Sequence, residues 1–288
     1  GFESIISNLG ELANRGVELS INTVNISQPN LTWKSGLVFS MNRNKIERLF
    51  GDYEEVEVNG ETITREIPDY TNLWFPGKAI DAVWEYDVTG VWQLDEAAEA
   101  AEYNMVPGDY KAEDVDDSKT YDALVDKQFI GYEQPRYRIG FRNDVSFLKN
   151  FTASVFIRAD LGHIGEFSYA VHESSTYDRI NIWNIPYWTP TNGNNEYART
   201  SEVHGAYGGG LRIFKPRSFL RVQDLSLAYN VPPVVAERIR VNSMRVFGSV
   251  RNLLTLTDWP GWDPESGVLG TDDGPMPRTF TIGVNISL

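Results

Sequence analysis

The chain has 288 residues, with 40 Asp+Glu against 26 Lys+Arg and a formal net charge of −14. That balance argues against nucleic acid as a principal partner, because phosphates call for a basic surface. The lack of cysteine excludes disulfides, cysteine-ligated zinc and thiol catalysis. No apolar run approaches the roughly 18–20 residues of a membrane helix. A membrane β-barrel stays open, since its lipid-facing residues come only at alternate positions.

In chain order, residues 1–14 read as a loop, and Gly16–Asn25 then alternates Val17, Leu19 and Ile21 with Glu18, Ser20 and Asn22. After a turn over Ile26–Asn30, Leu31–Asn42 places Leu31, Trp33, Leu37, Phe39 and Met41 on one face, which predicts a hairpin. Residues 43–134 carry no sustained alternation. They hold aromatic pieces and one expected helix, Leu94–Tyr103, with Asp95 as its N-cap and alanines as strong formers.

Strands resume at Pro135, where Tyr137, Ile139, Phe141, Val145 and Phe147 alternate with Arg136, Arg138, Arg142 and Asp144. A turn at Lys149-Asn150 leads to Phe151, Ala153, Val155, Ile157 and Ala159 opposite Thr152, Ser154, Arg158 and Asp160. Residues 162–217 are irregular, and three alternating strands close the chain: Ser218–Val231, Ser243–Thr257 and Pro277–Leu288. In the last, Phe280, Ile282, Val284, Ile286 and Leu288 share a face against Thr279, Thr281, Gly283, Asn285 and Ser287.

The seven segments are joined by connections that alternate strictly between short and long. In an up-and-down barrel this puts all long loops at one end, the outer-membrane pattern. The alternative is a soluble β-sandwich glycan binder, which has no reason to separate its loops this way.

Short motifs in one order carry a resemblance over nearly the whole chain. Ser218–Pro232 (SFLRVQDLSLAYNVP), Ser243–Thr255 (SMRVFGSVRNLLT), Gly261–Glu265 (GWDPE) and Pro277–Leu288 (PRTFTIGVNISL) resemble the closing strands of SusC/RagA-type TonB-linked outer-membrane transporters. Asn8–Leu19 (NLGELANRGVEL), Gly77–Gln93 and Pro107–Lys111 (PGDYK) resemble upstream landmarks of that family.

The resemblance implies an all-β chain supplying the C-terminal strands of a transmembrane antiparallel β-barrel, part of a plugged, roughly 22-stranded whole, with long external loops. The plug and the TonB-contacting segment are expected outside these residues. An odd number of spanning strands puts residues 1–14 on the side of the long loops. The implied function is TonB-energised uptake of an oligosaccharide or peptide across the bacterial outer membrane. The implied partners are a SusD-type surface lipoprotein, the TonB complex, the rest of the barrel and plug, and outer-membrane lipid. The alternative within the membrane class is a structural component of a surface assembly that transports nothing.

No Gly-x-Ser-x-Gly, P-loop or His-Glu-x-x-His occurs, so an enzyme is not expected. His163 and His172 read as solvated loop residues rather than a metal pair, and His204 stands apart. Relatives often carry a calcium-type loop where this chain has Asp114, Asp116, Asp117, Asp122 and Asp126 without the central glycine. A solvated acidic loop and a bound Ca2+ are both compatible with that stretch. Arg136, Arg138, Arg142, Arg158, Arg245 and Arg251 fall on polar strand faces and are expected to face the lumen, steering an acidic group or pairing with neighbouring carboxylates. Trp183, Tyr187, Trp188 and Tyr197 would stack on substrate or pack within the loop.

Overall fold

The computed structural model describes residues 10–58, 60–170, 184–200, 211–265 and 274–288. Its main body is one antiparallel sheet of seven strands, paired in chain order. These are β1 (Glu11–Gln28), β2 (Leu31–Arg48), β3 (Tyr137–Phe147), β4 (Phe151–Leu161), β5 (Phe219–Asn230), β6 (Ser243–Thr257) and β7 (Thr279–Ser287). Each of the seven alternating segments has become a strand. The first two run further than their apolar alternation extends, because β1 and β2 stay paired as far as Glu11 and Arg48.

The register brings the apolar positions into rows that cross the sheet. Ile21, Leu37, Phe141, Ile157, Val222 and Leu254 are successive partners. Val155, Leu225, Val250 and Phe280 form a second row. Among the described residues nothing covers this face: Ile282 is 88% exposed and Leu227 51%. No second sheet lies against the seven strands among the described residues. The polar notch on the apolar face is hydrogen-bonded within itself. Ser35 Oγ and Trp33 Nε1 donate to Asn143 Oδ1 at 2.7 and 2.9 Å, and Asn25 Nδ2 donates to Ser35 Oγ at 2.6 Å. Mutual satisfaction is what a water-free environment demands.

Aromatic side chains bracket that face. Phe147, Phe151 and Tyr229 pack with centroids 5.5 and 4.8 Å apart at the short-turn end, and Phe39 stacks on Tyr137 at 6.3 Å towards the other. Tyr137 and Phe147 are the two ends of β3. At about 3.3 Å per residue that is on the order of 33 Å along the strand. With a strand tilt of about 40° it becomes roughly the 25 Å of a barrel's apolar band.

The described parts of the three long connections pack together. They build a cap with its own core of Tyr86, Val91, Tyr110, Phe167, Trp188 and Trp259, among others. Small two-stranded antiparallel ribbons frame it, pairing Ala82–Tyr86 with Lys127–Tyr132, Val88–Val91 with Tyr110–Ala112, and Ile164–Glu166 with Phe214–Pro216. The cap stands at the end of the sheet where β1 begins, since Glu11 is the partner of Arg48 and β2 leaves there. Residues 10–14 therefore lie on the side of the long connections; residues 1–9 fall outside the described set.

The expected helix forms as a 3-10 turn, Leu94–Glu96, running into a short α-helix, Ala97–Glu102. Its cap is Gln93 rather than Asp95: the Gln93 amide donates to Glu96 Oε2 at 2.9 Å. Glu96 three residues on can reach back to that amide, as in a capping box, and this moves the start forward.

Candidate functional site

The polar face of the sheet and the underside of the cap meet around Arg221, which is 2% exposed. On β5 it points away from the apolar rows, because the register pairs it with Thr255 while Val222 pairs with Leu254. Its Nε donates to Thr255 Oγ1 at 3.0 Å, its Nη2 to Asp263 Oδ2 at 2.6 Å, and its Nη1 to Glu265. Arg158 on β4 faces Glu265 as well. Arg217 Nε donates to the Pro264 carbonyl at 3.0 Å, with its guanidinium over Trp259. The stretch Trp259–Glu265 thus folds back from β6 and is clamped onto the polar face by three arginines.

A second hub is the PGDYK stretch. Gly108 has φ +95°, donates to the Trp92 carbonyl at 2.7 Å and accepts from the Arg199 amide at 2.7 Å. A side chain there would run into Trp188 and Arg199. Buried Asp109 accepts from Arg199 Nε at 2.8 Å and from the Val106 amide at 3.0 Å, and the Tyr110 hydroxyl donates to the Ala170 carbonyl at 3.2 Å. Asn195 Oδ1 accepts from the Val91 amide at 2.9 Å. These bonds tie the first long connection to the second.

Charges inside the cap are compensated. Glu85, 2% exposed, sits 2.6 Å from Lys127 and 3.8 Å from Arg212, which also pairs with Glu166. Burial holds Tyr121 and Tyr197 up at about 12. His163 is buried beside Arg217, with Nδ1 lacking a hydrogen-bond partner among the described residues. Desolvation, then repulsion by Arg217, pushes it down to about 4. It is a core histidine rather than the solvated loop residue expected; His172 and His204 lie outside the described residues.

The arginines expected on polar faces divide into groups. Arg142 holds Asp144 through both nitrogens at 2.9 and 3.0 Å, and Arg251 reaches Asp224 at 3.2 Å. Arg138 stands opposite Asp160, and Arg245 opposite Asn230 and Asn285. Arg136 departs from the expectation: it precedes β3, lies over the Tyr132 ring at 3.7 Å and lines a pocket with Arg15, Arg43 and Lys45, whose strand positions belong to the apolar face. Among the loop aromatics, Trp188 and Tyr197 are buried in the cap core and Tyr187 packs half-buried against it. Trp183 lies outside the described residues.

In the acidic loop, carboxylate oxygens of Asp114, Asp116 and Asp126 come within 4.8 Å of one another; Asp117 and Asp122 are not in that group. Asp126 accepts from the Val115 and Asp122 amides at 2.9 and 2.7 Å, and Asp114 accepts from the Lys119 amide at 2.9 Å. Lys119 takes φ +64° and pairs with Asp117, so an ammonium stands where the calcium-type loop has its glycine. Three carboxylates fall short of the six to eight oxygens that calcium takes, and the fit is partial.

Arg221, Asp263, Glu265 and Asp109 were not singled out from the sequence as site residues. The signal was present, since all four lie inside the motifs that carried the resemblance.

No protein-family model matches the chain. It is 31% identical, over 99% of its length, to TonB-dependent receptor P3 of Formosa agariphila, and 24% identical, over 98%, to TonB-dependent receptor SusC of Bacteroides thetaiotaomicron. It spans 30% and 27% of those relatives. The RagAB peptide importer in its open-open state superimposes with a TM-score of 0.70 at 20% identity, over 97% of this chain and 29% of that one. In sequence the chain is similar, over nearly all of its residues, to about three-tenths of these TonB-dependent receptors, and in fold it is similar to about three-tenths of the RagAB importer chain.

Proposed function

We propose that this chain forms the C-terminal wall of an outer-membrane nutrient importer, with its cap at the cell surface. The observation that carries the reading is an apolar face of one seven-stranded antiparallel sheet, uncovered by the described residues and bracketed by aromatics, with the described parts of the long connections packed together at one end. Strand edges at β1 and β7 pair with the remaining barrel, since open edges in lipid leave backbone groups unsatisfied. The polar face, with its Arg142–Asp144 and Arg251–Asp224 pairs, lines the lumen. The importer takes up an oligosaccharide or peptide, energised by TonB, with a SusD-type lipoprotein over the cap, and performs no catalysis itself. Among the solved structures similar to the chain, one is a peptide importer, which supports the peptide class; the oligosaccharide class rests on the sequence resemblance.

Uptake of labelled oligosaccharides and peptides by cells with and without the intact transporter tests this. Import of one class that needs both the transporter and TonB is expected. Unchanged uptake of both classes after deletion would favour the non-transporting surface component.

A further inference from the structure

Although the chain carries net −14, one pocket of about 460 Å³ is lined by five cationic side chains, Arg15, Arg43, Lys45, Lys78 and Arg136, against one carboxylate, Glu47. Its position is set by register. Arg15 pairs with Arg43 and Ala13 with Lys45, in the same parity as Val17–Met41 and Leu19–Phe39. Arg15, Arg43 and Lys45 therefore continue the apolar rows of β1 and β2 beyond their last hydrophobic step, and Lys78 and Arg136 join them from the connections. The Arg43 guanidinium lies over Tyr137 at 4.8 Å, so the pocket stands directly on the aromatic row at the cap end. Only Lys45 has a carboxylate partner among the described residues, Glu47 at 2.7 Å. The other four have none there.

A solute in the lumen cannot reach this face, and lipid tails offer nothing to a cation. What stands at that level, just above the apolar band, is the headgroup layer. We infer that Arg15, Arg43, Lys45, Lys78 and Arg136 form a binding site for the phosphate of an anionic outer-leaflet lipid. The inference rests on the membrane reading above. Guanidinium and ammonium groups converging from two strands and a loop suit a phosphate's several acceptor oxygens. Arg43 is pre-positioned for it, donating to the Arg136 carbonyl at 2.6 Å while its ring contact fixes the guanidinium plane.

The test uses the full transporter, purified in a neutral detergent and titrated with phosphorylated lipid A, dephosphorylated lipid A or inorganic phosphate, with native mass spectrometry as readout. The phosphorylated lipid should bind the wild type. Arg15→Gln/Lys78→Gln, two exposed positions, should weaken that binding at least tenfold, at about 1 kcal/mol per cation near a charged surface. Membrane insertion and uptake should be unchanged. Equal binding by the variant, or equal binding of dephosphorylated lipid, would overturn the site. Displacement by inorganic phosphate at equal concentration would assign it to the free anion and overturn the lipid source. Failure of the wild type to insert in the outer membrane would instead defeat the membrane reading, a separate outcome seen before any lipid is added.

Discussion

Arg221 and Asp263, 42 positions apart in the chain, meet at 2.6 Å in a place where both are almost wholly removed from water. The bond joins a barrel strand to the cap, and Glu265 and Thr255 complete the guanidinium's partners.

Removing one member leaves the other buried and unpaired, which costs about 3–5 kcal/mol in comparable cases. Arg221→Met should therefore release Trp259–Glu265, seen as new proteolysis in 258–265 of the purified transporter. The double variant Arg221→Met/Asp263→Leu should recover part of the loss. If the single variant is as resistant as wild type, the clamp does not hold the cap.

Glycines separate two kinds of cost. At Gly108 the left-handed backbone and the Trp188 ring both oppose a side chain, whereas Gly60, with φ +80°, has nothing within 4 Å. Gly60→Ala should cost only the backbone penalty, about 1–2 kcal/mol. Gly108→Ala should add overpacking of about 1–3 kcal/mol and loosen the cap. Hydrogen exchange across 53–66 for the first variant and 84–113 for the second measures the difference; equal effects would mean that Trp188 gives way.

The buried His163 makes the cap acid-sensitive. Its folded value, about 4, lies below its ordinary 6.5, so the unfolded cap binds a proton that the folded cap refuses. No penalty exists above about 6.5; it grows as pH falls to about 4 and is constant below that. His163→Gln should flatten this dependence in denaturant titrations between those pH values. A variant with the wild-type slope would place the acid sensitivity elsewhere.

The apolar and polar faces of β7 should respond oppositely to charge. Ile282→Arg should cost roughly 2–4 kcal/mol if the residue sits near the bilayer midplane. Thr281→Arg, on the face shared with Arg251, should be tolerated. Heat-modifiability of the folded barrel on gels reports both.

The strands were legible because alternation is a property of adjacent residues. Ser243–Thr257 keeps the same bounds in sequence and structure. The cap was not legible, since its core joins Tyr86, Tyr110, Trp188 and Trp259 from three separate connections, none with a period of its own. Parity failed at Arg136 because alternation was extended one residue past the point where β3 begins. The clamp was visible only as motif letters: an arginine in SFLRVQD and two acids in GWDPE have no reason to meet until β5 and β6 are paired.

In an outer-membrane barrel the apolar face meets lipid and the polar face meets water. The chain has no native cysteine, so single cysteines at 280–287 can carry spin labels one at a time in the membrane-embedded transporter. Collision with oxygen should peak at 280, 282, 284 and 286, and collision with a water-soluble nickel complex at 281, 283, 285 and 287. Loss of that period of two, with both faces equally open to nickel, would contradict that arrangement.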